Sequence, residues 1–411
     1  MNKRKIVNDP VYGFINIPYT ILYDLIEHPY FQRLRRIQQL GLTNYVYPGA
    51  NHTRFQHALG ALHLMEQVIG VLQSKGQIIT DEEAEGVMIA ILLHDIGHGP
   101  FSHALENSIV PEVSHEYLSL LFMLELNRQF GNRLNLAIDI FQNKYHKKFL
   151  NQLVSSQLDM DRLDYLRRDS FFTGVTEGTI GSDRIIKMLN VEKDELVVEE
   201  KGIYSIEQFL IARRLMYWQV YFHKTVISAE NLLVNTLRRV KHLSGQGVPV
   251  FSTPYLGFFL NKELNLLKYS KSDDPEERKL LLDNFSLLED NDIMVSAKVW
   301  ADHSDRTLSI LSHNLINRKL FRIEVQHKPF AQNVVKSIYH KVMNDLQISK
   351  EETEYFVFTG EIANNTYKTS DDRIKILLKT GELVDITEAS DMLDQNVLAK
   401  TTIKHFLCYP K

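Results

Sequence analysis

An apolar segment that ends in a histidine and an aspartate limits the folds open to this chain more than any other part of its sequence. Val87 to Leu93 is the longest uninterrupted apolar run, and it passes directly into His94-Asp95. A membrane span needs about 20 such residues, so the run instead predicts a buried helix, over Asp81 to Asp95. That helix must carry an imidazole and a carboxylate out of the core at its C-terminal end.

This pairing of side chains suits metal binding. A mixed imidazole and carboxylate set favours a divalent ion of intermediate hardness, such as iron, manganese, nickel or zinc. His98 would share a face with His94 if the helix continued for one more turn, but Gly97, Gly99 and Pro100 argue against continuation. One adjacent pair cannot complete a coordination sphere, so other ligands must come from elsewhere in the chain.

Two other segments offer such ligands. Arg54-Phe55-Gln56-His57 places an imidazole on an earlier helix, and Asp159, Asp161 and Asp164 concentrate three carboxylates in six residues. Each feature alone has a plainer interpretation. A lone His-Asp pair is usually a helix end with a hydrogen-bonded histidine, and a block of Asp and Arg is more often an exposed helix face. A polar block between apolar helices is nevertheless costly to bury unless it is paired or metal-bound, so the joint pattern favours a metal site.

Apolar spacing between about Ile17 and Leu243 is mostly helical and predicts an all-α core over residues 1–245. The predicted helices are one with Phe31, Leu34, Ile37 and Leu40 on a single face, and others over Arg54 to Leu72, Ser114 to Asn127 and Ser205 to His242. The segment Ser244-Gly245-Gln246-Gly247-Val248-Pro249 then breaks the pattern and is a candidate boundary.

Residues 246–411 have a different pattern, which predicts a smaller α+β region with an interface or regulatory role. Asp274-Pro275 opens a helix with Glu276 and Glu277 in its first turn. Strand-like and helical segments follow over Leu320 to Gln326, Pro329 to Leu346 (helical), Tyr355 to Thr359, Ile374 to Lys379 and Ile403 to Tyr409. A length of 411 residues agrees with two or three structural units.

Charge and cysteine content exclude several classes of protein. The formal net charge of -4 supplies no argument for nucleic-acid binding, which is not favoured although a local basic patch could support it. A single cysteine, Cys408, excludes an intramolecular disulfide framework and a cysteine-rich zinc site. The charged segment Met1 to Pro10 lacks the apolar stretch of a signal peptide. We therefore expect a cytoplasmic protein that does not enter a membrane.

The sequence also resembles the HD-domain superfamily of metal-dependent phosphohydrolases, and most closely its deoxynucleoside triphosphate triphosphohydrolases. The resemblance covers roughly residues 5 to 240. It is carried by an ordered series of matches: Asn8-Asp9-Pro10, Phe31-Gln32-Arg33-Leu34-Arg35, Gln39-Leu40-Gly41, Tyr47-Pro48-Gly49-Ala50, Arg54 to His57, His94 to His103, His115-Glu116, Asp161 to Asp169 and Tyr221-Phe222-His223-Lys224. The HD signature alone indicates only the superfamily, whereas the full series indicates the triphosphohydrolase branch.

The resemblance implies a divalent metal cofactor (Mn, Mg, Fe, Ni or Zn) and a reaction. Its ligands would be His57, His94, Asp95 and Asp161. Family members attack the α-phosphate and release a nucleoside and intact inorganic triphosphate. The departing 5′-oxygen benefits from a proton donor. The residues implied for proton transfer and phosphate contact are His103 as the donor, His115 and Glu116 as an orienting or relay pair, and His98 as a phosphate contact.

The substrate-binding residues are implied in the same way. Arg54, Arg213 and Lys224 match phosphate contacts of the family, while Arg162 stands where the vertebrate enzyme has lysine. Gln39 and Asp169 resemble the residues that bind the sugar 3′-hydroxyl. The sugar would pack against Leu40 and Tyr221, which crowd the 2′ position, and Tyr165 would line the same pocket.

Regulation by nucleotides is a further implication. In relatives, the positions of Asn8, Gln32 and Arg35 help to bind activating nucleotides at subunit interfaces, although here a matching aspartate is replaced by Glu27. Family members assemble as dimers, tetramers or hexamers, so we expect a homo-oligomer, a dimer or a tetramer.

Two other functions compete with a deoxynucleoside triphosphate substrate. A different HD phosphohydrolase, acting on nucleoside monophosphates or cyclic nucleotides, needs the same ligands but not the set Gln39, Arg54, Asp169 and Tyr221. A non-catalytic nucleotide sensor or nucleic-acid-binding protein is the third alternative, and degenerate HD proteins typically lose ligands that this chain keeps. A phosphate-lined cleft can also hold a single strand.

Overall fold

The computed structural model describes residues 5–102, 105, 113–260, 272, 274–364, 367, 373–392 and 401–411. Helices dominate the N-terminal part, as the apolar spacing predicts. They are α1 (Thr20–Glu27), α2 (Pro29–Gln32), α3 (Arg54–Ser74), α4 (Asp81–Leu93), α5 (His115–Gln129), α6 (Asn135–Phe141), α7 (Lys148–Val154), α8 (Met160–Thr173), α9 (Ser182–Met188), α10 (Ile203–Met216) and α11 (Lys224–Gly245).

The C-terminal part combines helices and strands, so the predicted fold class is confirmed. Its helices are α12 (Pro254–Leu260), α13 (Pro275–Leu287), α14 (Asp290–Trp300), α15 (Arg306–Ile316), α16 (Gln332–Leu346), α17 (Lys350–Thr353) and α18 (Ile386–Ala389). The strands of the chain are β1 (Lys5–Asp9), β2 (Gly13–Ile17), β3 (Leu189–Glu192), β4 (Glu195–Glu199), β5 (Arg322–Gln326), β6 (Phe358–Asn364), β7 (Lys375–Leu377), β8 (Leu383–Asp385) and β9 (Thr402–Tyr409).

Helices α3, α4 and α8 form the part of the core that carries the candidate site. Helix α4 is apolar around most of its circumference, since its last seven residues are all buried. Gly60 lets α3 and α8 approach closely, because a β-carbon at this position would overlap the carboxylate of Asp164 on α8. This close approach brings His57, one turn before Gly60, beside Asp161, one turn before Asp164.

Two predicted helices differ from the structure. The helix expected around Phe31 to Leu40 is the short α2 followed by a 3₁₀ turn over Arg33–Arg36. Arg33 is fully buried there and donates to the carbonyls of Ile96 and His98, which holds the chain in place. The long helix expected over Ser205 to His242 is interrupted by a π-helical turn over Tyr217–Tyr221, after which α11 begins.

Two β-hairpins lie within the N-terminal part, which the apolar spacing predicts as helical only. Strands β1 and β2 pair antiparallel, and so do β3 and β4. In the second hairpin, Lys193 and Asp194 both adopt positive φ, as a two-residue hairpin turn requires. Strand β4 also pairs in parallel with β7 of the C-terminal part. The domain boundary at residue 245 stays a prediction.

A three-stranded antiparallel sheet with the order β5-β9-β6 completes the C-terminal part. Its strands correspond to three of the four predicted strands, and β7 corresponds to the fourth. Strand β6 begins at Phe358 rather than at Tyr355, because α17 ends just before it. None of the helices in the described residues is long and apolar enough to cross a membrane.

Candidate active site

Three helices bring together a group of side chains that could hold a metal ion. His57 comes from α3, His94 follows the last residue of α4, and Asp161 lies in the first turn of α8. One ligand atom from each lies within 4.8 Å of the others. The Oδ1 atom of Asp161 is 3.2 Å from Nε2 of His57 and 3.6 Å from Nε2 of His94. These three residues are therefore close enough to bind one divalent ion.

Asp95, the fourth predicted ligand, borders the same group. Its carboxylate oxygens lie 3.4 Å from Nε2 of His94 and 3.7 Å from Nε2 of His57. Oδ2 also accepts a hydrogen bond of 2.7 Å from Nη1 of Arg54. Burial alone would raise the pKa of Asp95, but His94, His98 and Arg54 together hold it well below its ordinary value. Asp95 is therefore an ionised carboxylate shared between the candidate metal group and a buried arginine.

The two imidazoles are oriented for metal coordination. Nδ1 of His94 lies 2.6 Å from the carbonyl oxygen of Ile91, and Nδ1 of His57 lies 2.7 Å from Oδ2 of Asp164. Because both partners are acceptors, each Nδ1 carries the proton and each Nε2 keeps its lone pair. Both Nε2 atoms are buried and lack a hydrogen-bond partner within the described part of the chain. Lone pairs aimed at a carboxylate across a small gap fit a shared cation.

Asp164 belongs to a buried network behind the metal group. Arg168 donates to both oxygens of Asp164, at 2.9 and 3.0 Å, and donates to Asp9 at 2.7 Å. All three side chains are almost fully buried. The network thereby connects the first β-hairpin to the imidazole of His57. The sequence places Asp164 in the carboxylate block, but nothing in the spacing distinguishes this supporting role from that of a ligand.

His98 and His115 form a stacked pair beside Asp95, with their ring centroids 3.9 Å apart. Nε2 of His98 lies 3.2 Å from Oδ1 of Asp95, while Nδ1 lies 2.5 Å from the hydroxyl of Ser102. Burial lowers the pKa of His98 well below its ordinary value, and Arg54 adds to this effect. His98 is therefore a neutral hydrogen-bonding group.

The remaining residues predicted for proton transfer differ in position. His115 lies 3.3 Å from Glu116, whose side chain is largely exposed. The structure thus brings His115 and Glu116 together and places His115 at the wall of a large cavity. His103, the predicted proton donor, lies outside the described residues.

A cavity of about 690 Å³ opens beside the metal group, a size typical of small-molecule sites. It brings together most of the residues predicted to bind the substrate. The predicted residues in its wall are Gln39, Leu40, Arg54, Asp95, His98, His115, Asp161, Arg162, Tyr165, Asp169 and Tyr221.

The residues predicted at the sugar are held by hydrogen bonds to one another. Asp169 accepts from the hydroxyl of Tyr221 at 2.8 Å, and its other oxygen lies 2.7 Å from Nε2 of His52. His52, for which the sequence indicates no role, also stacks on Phe172 with centroids 4.5 Å apart. Its position next to the family-like segment Tyr47 to Ala50 is the only sequence signal for it. Oδ1 and Oδ2 of Asp169 are therefore both engaged.

The predicted phosphate contacts fall into two groups. Arg54 and Arg162 line the cavity, and Arg162 also donates to Asp159 at 3.0 Å. Arg213 is buried, with Nε and Nη1 lacking a hydrogen-bond partner among the described residues, and its guanidinium lies 5.9 Å from the ring centroid of Tyr217. Lys224 is the first residue of α11, is exposed and is not among the described residues that form the cavity wall.

Several residues of the cavity wall were missed in the sequence. Glu230 and Asn231 come from α11, and a further group comes from the C-terminal sheet, namely Glu361 and Ile362 on β6 and Phe406 on β9. These C-terminal residues follow the other wall residues by more than a hundred positions in the chain. No local pattern could associate them with the site.

The residues predicted for an activating nucleotide lie on separate elements. Asn8 is exposed on β1. Gln32 ends α2, donates to the carbonyl of Ile26 at 2.7 Å and accepts from Arg35 at 2.8 Å. The Arg35 guanidinium lies over the ring of Phe55, 3.6 Å from its centroid. The regulatory role of these residues stays a prediction.

Comparisons with protein families agree with the position of the site. The model of the HD domain matches residues 54–169, and the model of the HD associated region matches residues 180–246. The first match begins at Arg54 and ends at Asp169, so it includes the four predicted metal ligands.

Similar proteins extend the match over the whole chain. A phosphohydrolase from Bacteroides thetaiotaomicron, known from a crystal structure, is 54% identical, with a TM-score of 0.95 and coverage of 100% of both chains. The Bacillus subtilis protein YwfO is 30% identical over 100% of this chain and 93% of its own length. The deoxynucleoside triphosphate triphosphohydrolase SAMHD1 homologue of Dictyostelium discoideum is 32% identical over 56% of this chain, which matches only 48% of that relative. The chain therefore belongs to the HD-domain phosphohydrolase family, in the branch that resembles deoxynucleoside triphosphate triphosphohydrolases.

Proposed function

We propose that this protein hydrolyses deoxynucleoside triphosphates to deoxynucleoside and inorganic triphosphate with a bound divalent metal ion. The observation that carries the proposal is the single cavity that joins Asp95 and Asp161 to Gln39, Asp169 and Tyr221. A water oxygen would form a bond to the α-phosphorus, the bond from that phosphorus to the 5′-oxygen would break, and the 5′-oxygen would take up a proton.

His57, His94, Asp95 and Asp161 would hold the ion, because their ligand atoms converge and both imidazoles keep a free lone pair. When bound, a divalent ion polarises the phosphate and lowers the pKa of a water molecule. Asp164 would keep the His57 ring in place by accepting from its Nδ1.

Cationic side chains would bind the triphosphate. Arg54 and Arg162 face the cavity, and Arg213 has two buried nitrogens without a hydrogen-bond partner in the described residues. A guanidinium can engage two phosphate oxygens in a fork, which an ammonium cannot. Lys224, exposed at the start of α11, would act at the outer end of the triphosphate.

Histidines would manage the proton that the 5′-oxygen needs. His115, oriented by Glu116 and stacked on His98, borders the cavity. Neutral His98 would donate or accept at a phosphate oxygen, and His103 remains the proposed donor to the leaving oxygen.

The sugar would be selected by fit. Oε1 of Gln39 is buried without a hydrogen-bond partner among the described residues and would accept from the 3′-hydroxyl. The Tyr221 ring, held by Asp169, would pack with Leu40 against the 2′ carbon. A ribose hydroxyl there would be crowded, so deoxynucleotides would be preferred.

Product analysis tests the reaction. The protein is incubated with each dNTP, alone and in mixtures because some relatives need an activating nucleotide, in the presence of Mn²⁺ or Mg²⁺. Chromatography should show deoxynucleoside and triphosphate in equal amounts. Monophosphate plus pyrophosphate, hydrolysis of monophosphates or cyclic nucleotides only, or no turnover under any condition would contradict the proposal.

Substitution of the ligands tests the metal site. His94→Ala and Asp95→Ala should each abolish tight binding of Mn²⁺ and reduce turnover by at least about a thousandfold, because catalysis depends on the ion. Calorimetric titration measures binding, and circular dichroism checks that both variants are folded. Full activity in both variants would refute the ligand assignment. A homo-oligomer, and its activation by nucleotides, stay predictions.

A further inference from the structure

One acidic side chain in the cavity has no role in the proposed function. Glu230 lies on α11 in the cavity wall, and it has neither a hydrogen bond nor an ion pair with any of the described residues. Glu361, the other glutamate of the wall, lies 3.2 Å from Nδ1 of His405. Glu230 is therefore the acceptor in this wall that is left open for a bound molecule.

The surroundings of Glu230 are apolar and lie next to the sugar residues. A β-carbon added to Gly41 would lie 4.0 Å from its carboxylate and 3.8 Å from the ring of Phe101. Gly41 directly follows Gln39 and Leu40, which are proposed to contact the sugar. Glu230 thus borders the part of the nucleotide that is attached to the sugar.

Electrostatics decide which part that is. Burial raises the pKa of Glu230 to about 7, and no charged side chain adds to the shift. The metal group and its arginines therefore do not lie beside it. A triphosphate carries several negative charges and would be repelled by a carboxylate in an apolar setting. Glu230 accordingly faces the base, at the end of the nucleotide opposite the metal.

We propose that Glu230 and Asn231 form the base-recognition end of the cavity and favour guanine. This inference rests on the proposed function and names its preferred substrate, dGTP. Nδ2 of Asn231 donates to the carbonyl of Ile227 at 2.8 Å, which leaves its amide oxygen as an acceptor. The two side chains then present acceptors only. Guanine is the base that has two adjacent donors, N1–H and the 2-amino group, on one edge.

The test is the substitution Glu230→Gln, which keeps shape and replaces one acceptor by a donor. The quantity measured is kcat/KM for dGTP, dITP, dATP, dCTP and dTTP. We expect the unsubstituted protein to prefer dGTP over dITP, which lacks the 2-amino group. In the variant, kcat/KM for dGTP should fall about tenfold to a hundredfold and the other values less than about threefold. Asn231→Ala should weaken the same preference, and Glu354→Gln, at an exposed position, is the control.

Two outcomes would overturn the inference: equal kcat/KM for all five nucleotides in the unsubstituted protein, or an equal loss for all five in Glu230→Gln. Binding of deoxyguanosine and deoxythymidine, measured by calorimetry in the presence of Mn²⁺, separates this inference from the proposed reaction. If no dNTP is hydrolysed but deoxyguanosine binds about tenfold more tightly and Glu230→Gln removes the difference, base recognition stands and the reaction fails. Hydrolysis of all dNTPs without base preference would instead support the reaction and overturn base recognition.

Discussion

Asp164 acts on the metal site through another residue. Its Oδ2 accepts from Nδ1 of His57, and Arg168 binds both of its oxygens. This contact fixes which nitrogen of His57 is protonated and thus which one faces Asp161. Hydrogen-bond partners of metal ligands commonly control metal affinity in this way.

Replacing Asp164 by Asn should weaken metal binding without removing a ligand. We expect the affinity for Mn²⁺ to fall about tenfold to a hundredfold, because the neutral amide holds the His57 ring less firmly. Calorimetric titration gives the affinity, and Asp139→Asn, at an exposed position, serves as the control. An unchanged affinity in a folded Asp164→Asn protein would show that Asp164 does not support the ligand.

Single residues could be predicted only where a motif carries them. The residues that converge at the metal group and most of those in the cavity wall belong to segments that resemble a known family. His52 and Glu230 carry no such signal, since an isolated histidine or glutamate looks the same in a surface turn. Their positions follow from α8 and α11 passing close to the loops that contain His52 and Gly41.

At the scale of elements, the apolar period predicts the straight helices and fails where buried polar groups or tight turns interrupt them. Arg33 occupies a fully buried position and binds carbonyls after α4, so the chain leaves the helix one turn after Pro29. The π turn at Tyr217–Tyr221 changes the helix by too little to disturb the apolar pattern. Neither feature is visible in the period.

The start of α4 allows a pH-dependent prediction. Glu83 closes a capping box with Thr80 and binds Lys147 and Tyr145 at 2.7 Å each. Burial alone would raise the pKa of Glu83, but these hydrogen bonds lower it below its ordinary value. The carboxylate therefore stabilises the fold at neutral pH, and this contribution is lost as the pH falls from about 4.3 through the lowered pKa.

Glu83→Gln should accordingly reduce the free energy of unfolding by about 1–3 kcal/mol at pH 7. The difference from the unsubstituted protein should shrink as the pH falls below about 4, because Glu83 becomes neutral in both states. Urea unfolding at several pH values measures it. Glu82→Gln, exposed in the same helical turn, should show little change. A difference that stays constant with pH would argue against a charge effect.

At the scale of the whole molecule, the C-terminal part completes the cavity. Ile362 and Phe406 reach it from strands that begin more than a hundred residues after the start of α11. The strands themselves were predictable from their alternation and β-branched residues. Their place beside the metal-binding helices was not, because it depends on long-range packing and on the parallel pairing of β4 with β7.

This arrangement predicts an effect on substrate binding from far outside the family-like segments. Phe406→Leu should raise KM for the preferred dNTP about tenfold, as expected for one apolar contact in a pocket, while kcat changes by less than about threefold. Steady-state kinetics measures both. Phe14→Ala removes an exposed ring and should leave both constants unchanged. An unaltered KM in Phe406→Leu would place the substrate away from the C-terminal sheet.

Asp95 is held by Arg54 and at the same time borders the metal group. A cation that draws this carboxylate closer loosens its hold on the guanidinium and so frees a donor for phosphate. Binding of the two ions is then thermodynamically reciprocal: whatever factor the metal adds to nucleotide affinity, the nucleotide must return to the metal. In a cell, the supply of substrate would help to decide how much of this protein is loaded.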